Sequence, residues 1–375
     1  MAKSGVLAKS HDLQESFSAA TGAITIGIDL GDRFSYCCVL GPDGTILTEG
    51  RVVSTPDGMA RHFQQLPRTR VAFEVGSHSR WMSELLTKWG HEVILANPRN
   101  LRLISDSIRK SDRVDAHTLA RLARIDPKLL SPIEHCGPEA YSHMTLLKGR
   151  DLLVRTRTRL TNAVRGVMKA VGLRLPAPGG TTFPSKTALI VPDNLKPSLL
   201  PLLETISHLN KQIYQFDKAI ERVALQQYPE TARLRQISGV GPVTSLHYVL
   251  TIGNPNRFEH SRDVGAYLGL TPRRRQSGDI DQQLRISKAG NRRLRSLLVQ
   301  CAQYLLGRFG PDTDLKRWGA RMAERSGKNA KKRAIVAVAR KLSVLLHRLW
   351  VTGDTYRPLY NALGHSTASA LPQAS

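Results

Sequence analysis

Between residues 23 and 125 the chain runs through short apolar segments in an order that few folds can accommodate. AITIGIDL, FSYCCVL and ILTEGRVV are rich in β-branched and aromatic residues, and the last two are joined by the turn GPDG, so a three-stranded meander is predicted. Thr55 and Pro56 then read as the cap and first residue of a helix, PDGMARHFQQL. TRVAFEV reads as a fourth strand, SRWMSELLTKWG as a helix ended by Gly90, and EVILANP as a fifth strand. Helical segments follow in RNLRLISDSIRKSDRVDAHTLARLARI. The order is β β β α β α β α.

That succession matches the ribonuclease-H-like fold, in which a meander is extended by βα crossovers and helices pack on the sheet. From about Glu139 the pattern changes to long helices. Leu146, Leu153, Leu160 and Val167 recur every seventh residue, with Arg150 and Arg157 interrupting the stripe. A connector rich in Pro, Gly, Ser and Thr follows, and then the cleanest period in the chain: Leu199, Leu202, Ile206, Leu209, Ile213, Phe216, Ile220 and Val223 alternate steps of three and four. We expect this seam to form a helical hairpin or coiled coil that also supports a homo-oligomer, a dimer or tetramer; an amphipathic helix packed inside one chain is the plainer reading. From about Thr231 the chain reads as helical and strongly basic. QISGVGPVTSLHYVLTIG there has the pattern of two helices joined by a glycine hairpin, in which Gly239 and Gly241 would let a phosphate approach the backbone.

The expected fold class is therefore α/β plus all-α. Its parts are a mobile arm over residues 1–22, a ribonuclease-H-like domain over 23–135, a helical coiled-coil region with its Pro/Gly-rich loop over 136–230, a mainly helical domain over 231–350 and a tail over 351–375.

Charge narrows the partners. Lys and Arg number 55 against 30 Asp and Glu, a net +25, which favours nucleic acid first and an anionic membrane surface second. The longest apolar run, residues 334–339, is far below the ~20 residues of a membrane helix, so no membrane-spanning segment is expected. The start MAKSGVLAKSHDLQE lacks the apolar stretch of a secretory signal. Cys37, Cys38, Cys136 and Cys301 form no CxxC pair and the histidines no zinc-binding spacing. A cytoplasmic protein without structural zinc is expected.

Two sets of residues could carry chemistry. Asp29 ends the first strand and Glu74 lies near the end of the fourth, where a carboxylate is costly to bury unless it meets a cation. Asp112 and Asp115 share one face of the helix that follows. Packed across the sheet, that helix would gather four carboxylates able to hold two magnesium ions for in-line displacement at a phosphodiester. Taken singly, each acid is more often a turn, a cap or a solvated face. The second set is basic: Arg273, Arg274 and Arg275 precede Ser277 and Gly278, and Lys288, Arg292, Arg293 and Arg295 surround the start of a helix for which Asn291 is a plausible cap. Side-chain cations and a helix N-terminus both favour phosphate. From spacing alone Ser277 is a surface-turn residue, since no base lies beside it.

These motifs together resemble a known family. GIDLGD, AFEVGS and KSDRVDAHTLA look like the DEDD motif of the RuvC-like domain in the IS-one-ten family of insertion-sequence transposases, which includes Piv-type DNA invertases. The hairpin ISGVGP, YLGLTP, the Ser-Gly pair and ISKAGNRRLR resemble that family's C-terminal domain. The resemblance spans roughly residues 23 to 349. It implies a site-specific recombinase in which Ser277 attacks the scissile phosphate, and Asp29, Glu74, Asp112 and Asp115 hold magnesium. It further implies donor and target DNA as substrates and a bridge RNA as guide. The separation of Ser277 from the acids in sequence, together with the coiled-coil seam, suggests a composite site in which one subunit's serine meets another's acids, although one chain folding back would also join them. A junction-resolving nuclease would use the same acids with water, and a purely architectural DNA-binding protein would need only the basic helices.

Overall fold

The computed structural model describes Leu7 and residues 24–98, 111–175, 180–278, 280–324, 327 and 329–360. The chain divides into two compact units, Met1–His135 and Cys136–Ser375.

In the first unit a five-stranded sheet is built from β1 (Thr25–Asp29), β2 (Phe34–Leu40), β3 (Ile46–Val53), β4 (Arg70–Glu74) and β5 (Glu92–Ala96) in the order β3-β2-β1-β4-β5. β1, β2 and β3 pair antiparallel, and β4 and β5 are added parallel. This is the meander with crossovers that the sequence predicts. Asp43 Oδ1 accepts from the Thr45 amide at 3.0 Å and Gly44 takes φ +88°, which closes the β2–β3 turn. Helix α1 (Pro56–Phe63) begins where expected, with Thr55 accepting from the Gly58 amide at 3.1 Å. Helix α2 (Ser79–Lys88) stops before Gly90, at φ +89°.

Ile26, Ile28, Val39, Val71 and Phe73 pack on one face of the sheet with Met59, Phe63, Met82 and Leu86 of α1 and α2. The other face takes α3 (Asp112–Ile125). Three of its sheet-facing residues are small, Ala116, Ala120 and Ala123, and with Leu119 they lie against Tyr36, Cys38, Leu40, Ala72 and Ala96. The contact is closest at Gly27, where an added Cβ would come to 2.1 Å from the Ala116 carbonyl oxygen and 2.5 Å from the Ala120 amide. The beginning of the helical stretch predicted before α3 lies outside the described residues.

In the second unit α4 (Pro138–Ala170) and α6 (Lys196–Gln227) pack side by side, with the short α5 (Phe183–Ala188) against them. The three-four seam of α6 is filled by this same chain: Leu199, Ile206, Leu209, Ile213 and Ile220 are buried without a partner subunit. The two arginines that interrupt the α4 stripe face polar residues of α6. Arg150 donates to Asp217 at 2.7 Å and Arg157 to the buried Asn210 at 3.0 Å, a polar layer that fixes how the helices align. Val167 is exposed, and Leu147, Val164 and Met168 take the buried positions of α4.

Beyond the seam come α7 (Glu230–Leu234), α8 (Pro242–Ile252), α9 (Asp263–Tyr267), α10 (Arg292–Leu306), α11 (Asp314–Glu324) and α12 (Ala330–Thr352). Their core joins Ile252, Val264, Leu298, Leu305, Val338 and Leu342, and the fully buried Tyr248 donates its hydroxyl to the Ser343 carbonyl at 2.7 Å. One stretch departs from the helical expectation. β6 (Pro272–Ser277) and β7 (Ile280–Ile286) form an antiparallel ribbon. PRRRQS has no apolar side to reveal a two-residue period, whereas Gly278, at φ +54°, supplies the reversal.

The α3 contact sets a direct test. Gly27→Ala drives a methyl group into helix backbone that cannot rotate away, and is expected to cost about 3 kcal/mol, read as a lower denaturation midpoint.

Candidate functional site

Backbone geometry directs Asp29, Glu74 and the first turn of α3 toward the same edge of the first unit. β1 and β4 are parallel neighbours in the register Ile28↔Phe73, so the next residues, Asp29 and Glu74, end adjacent strands side by side. Strand alternation places Asp29 on the face of Gly27 and Glu74 on the face of Ala72, the face that α3 covers. Helix α3 runs opposite to these strands: Arg70, near their start, donates to the carbonyl of Ala123, and Ala116 and Ala120 lie over Gly27. Its first turn therefore reaches the carboxyl ends of β1 and β4. Asp115 is buried there and Asp112 is exposed. In open sheets with crossovers this edge is where ligands gather.

As donors, four carboxylates suit a hard divalent cation. The fit is partial: among the described residues no three His, Cys, Asp or Glu side chains come close enough to share a metal ion. Asp29 and Glu74 form the pair that register enforces, and Asp112 and Asp115 are donors available from the helix above.

A polar group beside the acids was not legible in the sequence. Tyr36 is paired with Asp29 across β1 and β2 and is hydrogen-bonded to Glu49 of β3. Glu49 is gripped by His117 and Arg113, which project from consecutive turns of α3, with Arg113 Nε donating at 3.1 Å. Burial pushes the Glu49 carboxyl up, but His117 and Arg113 together outweigh burial and hold it below the ordinary carboxylate range. The same surroundings, burial first and Glu49 second, raise the Tyr36 phenol. The i, i+4 spacing of Arg113 and His117 was the available signal, yet only pairing between β2 and β3 reveals their acid.

In the second unit Ser277 is the last residue of β6, exposed at the tip of the ribbon and paired with Ile280. Alternation gives it the same side as Arg275, while Arg274 points away and is neutralised by Asp281 at 2.5 Å. Arg273 lies at the irregularity between Pro272 and Arg274. Asn291 caps α10 as expected, accepting from the Arg293 amide at 2.9 Å and the Leu294 amide at 3.0 Å, so those two donors are already used. Arg293 holds Asp151 of α4 at 2.6 Å, and Arg295 donates to the carbonyls of Leu268 and Ala289 at 2.8 and 2.6 Å. Both fasten the unit together. Arg292 and Lys288, the latter at φ +56°, are both exposed, so these two remain presented to a phosphate. Gly239, at φ +88°, makes room for Tyr304, whose ring an added Cβ would meet at 2.7 Å. Gly241 precedes α8 with open space around it. Among the described residues no helix is long and apolar enough to cross a membrane, and all four cysteines are free.

The Glu49 grip predicts a pH dependence of known sign. A carboxyl held below its ordinary value of 4.5 adds stability above that value and loses it as pH falls through the lowered one. Glu49→Gln is expected to cost about 1 kcal/mol at neutral pH, and this gap from the parent protein should close on acidification. Denaturant titrations between neutral and acid pH check it; a gap constant with pH would show that the grip is not ionic.

Two family models match the chain in succession. A DEDD transposase model, described as Transposase, covers residues 26–172, and a model described as Transposase IS116/IS110/IS902 family covers residues 231–317. The transposase for insertion sequence element IS1111A from Coxiella burnetii is 28% identical over 95% of this chain and 98% of its own length. The transposase for element IS1328 from Yersinia enterocolitica is 28% identical over 76% of this chain and 84% of its own. A pilin gene-inverting protein from Moraxella lacunata is 28% identical over 69% of this chain and 74% of its own. With the acid-bearing sheet under the first model and the Ser277 ribbon under the second, the chain belongs to the IS110/IS116 family of insertion-sequence transposases.

Proposed function

We propose that this protein is a site-specific DNA recombinase that cuts and rejoins the strands of an insertion sequence through a phosphoserine intermediate. The observation that carries this reading is the placement of Asp29 beside Glu74 at the carboxyl edge of the sheet, beneath the first turn of α3, in a chain whose second unit presents Ser277 at an exposed tip.

In the proposed chemistry Ser277 Oγ forms a bond to phosphorus as the bond from phosphorus to a deoxyribose oxygen breaks. The serine proton is made up on the departing hydroxyl. The phosphodiester is thereby exchanged for a phosphoserine ester, so a second strand's hydroxyl can reverse the step without ATP. Arg275, on the same side of the ribbon, offsets charge on the phosphate, and Arg292 and Lys288 add cations nearby in sequence. Asp29, Glu74, Asp112 and Asp115 are the residues to hold a divalent cation, for which we propose magnesium; when bound it would lower the pKa of a nearby hydroxyl and balance phosphate charge. The Tyr36–Glu49–His117–Arg113 group orients β2 and α3 around these acids.

Donor and target DNA are the proposed substrates, with a bridge RNA as guide, and the net +25 is compatible with carrying both. Because Ser277 and the acids belong to different units, we further propose a homo-oligomer in which one subunit's serine works with another's acids. The cytoplasm is the proposed location. Likeness both to insertion-sequence transposases and to pilin gene-inverting proteins makes inversion the closest alternative outcome of the same strand exchange.

Ser277→Ala should bind DNA within a few fold of the parent, form no denaturation-resistant protein–DNA adduct and give no recombinant product. Asp29→Asn should likewise abolish cleavage while leaving binding intact. An adduct formed by the alanine variant would remove Ser277 as the nucleophile, and cleavage without any adduct in the parent protein would favour a hydrolytic nuclease.

A further inference from the structure

The base of the Ser277 ribbon forms one wall of a cleft of about 2220 Å³, whose other walls are α11 and α12. That volume exceeds the ~300–1,000 Å³ of a typical small-molecule site. Arg285, Lys288, Lys332, Arg340, Lys341 and Arg348 line it, and none of these six makes an ion pair among the described residues. Asp314 and Asp354 are the acids on its wall. Apolar side chains line it as well: Leu284, Leu315, Met322 and Val336 join Trp318 on its walls, and Lys341 Nζ stands 4.0 Å from the centre of the Trp318 ring. Burial, and then the neighbouring Arg321, push the Lys341 ammonium below its usual range.

We propose that this cleft seats an unpaired stretch of a nucleic-acid strand, with its phosphates on the cationic rim and its bases on the apolar side chains beside Trp318. Cations along a groove with an aromatic platform inside it are the means by which single strands are held, since every base has a face to stack and every nucleotide a charge to neutralise. A duplex turns its bases inward and would leave these side chains unused. The chain's own residues 361–375, which follow the cleft-lining Tyr360, contain no Asp or Glu to match the rim. The proposal rests on the reading of the protein as a strand-processing enzyme and deepens it: the strand that enters the cleft passes along β7 toward the tip that carries Ser277.

The test measures binding of the full-length protein to fluorescein-labelled oligothymidylate and to a duplex of equal length by anisotropy, as a function of salt. The triple variant Lys332→Gln, Arg340→Gln, Lys341→Gln keeps the side-chain stems while removing three charges. It should bind the single strand at least tenfold more weakly, and its log–log salt slope should shrink by about 2, because each phosphate contact on a single strand contributes roughly 0.7. Trp318→Leu, which changes no charge, should weaken the single strand more than the duplex. Thermal melting confirms folding, and the double variant Lys332→Gln, Lys341→Gln serves if the triple does not fold. Unchanged single-strand affinity in a folded charge variant overturns the cleft assignment, and equal losses on both probes for Trp318→Leu overturn the unpaired strand. A parent protein that binds neither probe would instead defeat the wider functional reading.

Discussion

The contact of Gly27 with the backbone of α3 sets the geometry of the first unit. A helix that rests on a sheet through ordinary side chains is held off by their bulk. Here glycine meets Ala116 and Ala120, and the helix sinks toward the strands. Sinking brings its first turn, with Asp112 and Asp115, down to the ends of β1 and β4, and brings Arg113 and His117 within reach of Glu49. A larger residue at position 27 would lift all of these groups together. The acids therefore depend on a residue with no functional group of its own.

The second unit distributes its charge by a different logic. Of the arginines near Ser277, those at 293 and 295 are consumed in holding α10 to α4 and to the preceding loop, and that at 274 by an acid across the ribbon. What remains exposed is Arg273, Arg275, Arg292 and Lys288. A further cationic surface is assembled from α11, α12 and the root of the ribbon, where few acids intervene. A basic run in the sequence is thus a poor guide to where positive potential survives, because folding pairs some of its members and exposes others.

The sheet was legible because its strands are apolar, short and separated by turns and capped helices: β2 and β3 occupy FSYCCVL and ILTEGRVV, and Thr55 and Asn291 cap the helices assigned to them. Asp29 and Glu74 could be picked out one at a time as strand-end acids. Their adjacency is a property of register, which no local pattern encodes. The ribbon was missed for the opposite reason, since two strands exposed on both sides carry no hydrophobic signal. The seam of α6 was read correctly as a helix contact, but periodicity does not say whose helix fills it, and α4 of the same chain does.

Ser277 ends a ribbon whose strand spans Pro272–Ser277, so its hydroxyl is carried roughly 17 Å beyond the root of that strand. A serine in a pocket waits for a substrate small or flexible enough to enter. One at the end of an arm can be brought to a phosphate on a stiff duplex that no pocket would admit. The arm is also thin, and two strands without a hydrophobic side are marginal in water. Its aim is set at the root, where the Ser287 amide donates to the Thr271 carbonyl and the Lys288 amide to the Gly269 carbonyl, so reach and direction are governed by residues far from the serine hydroxyl.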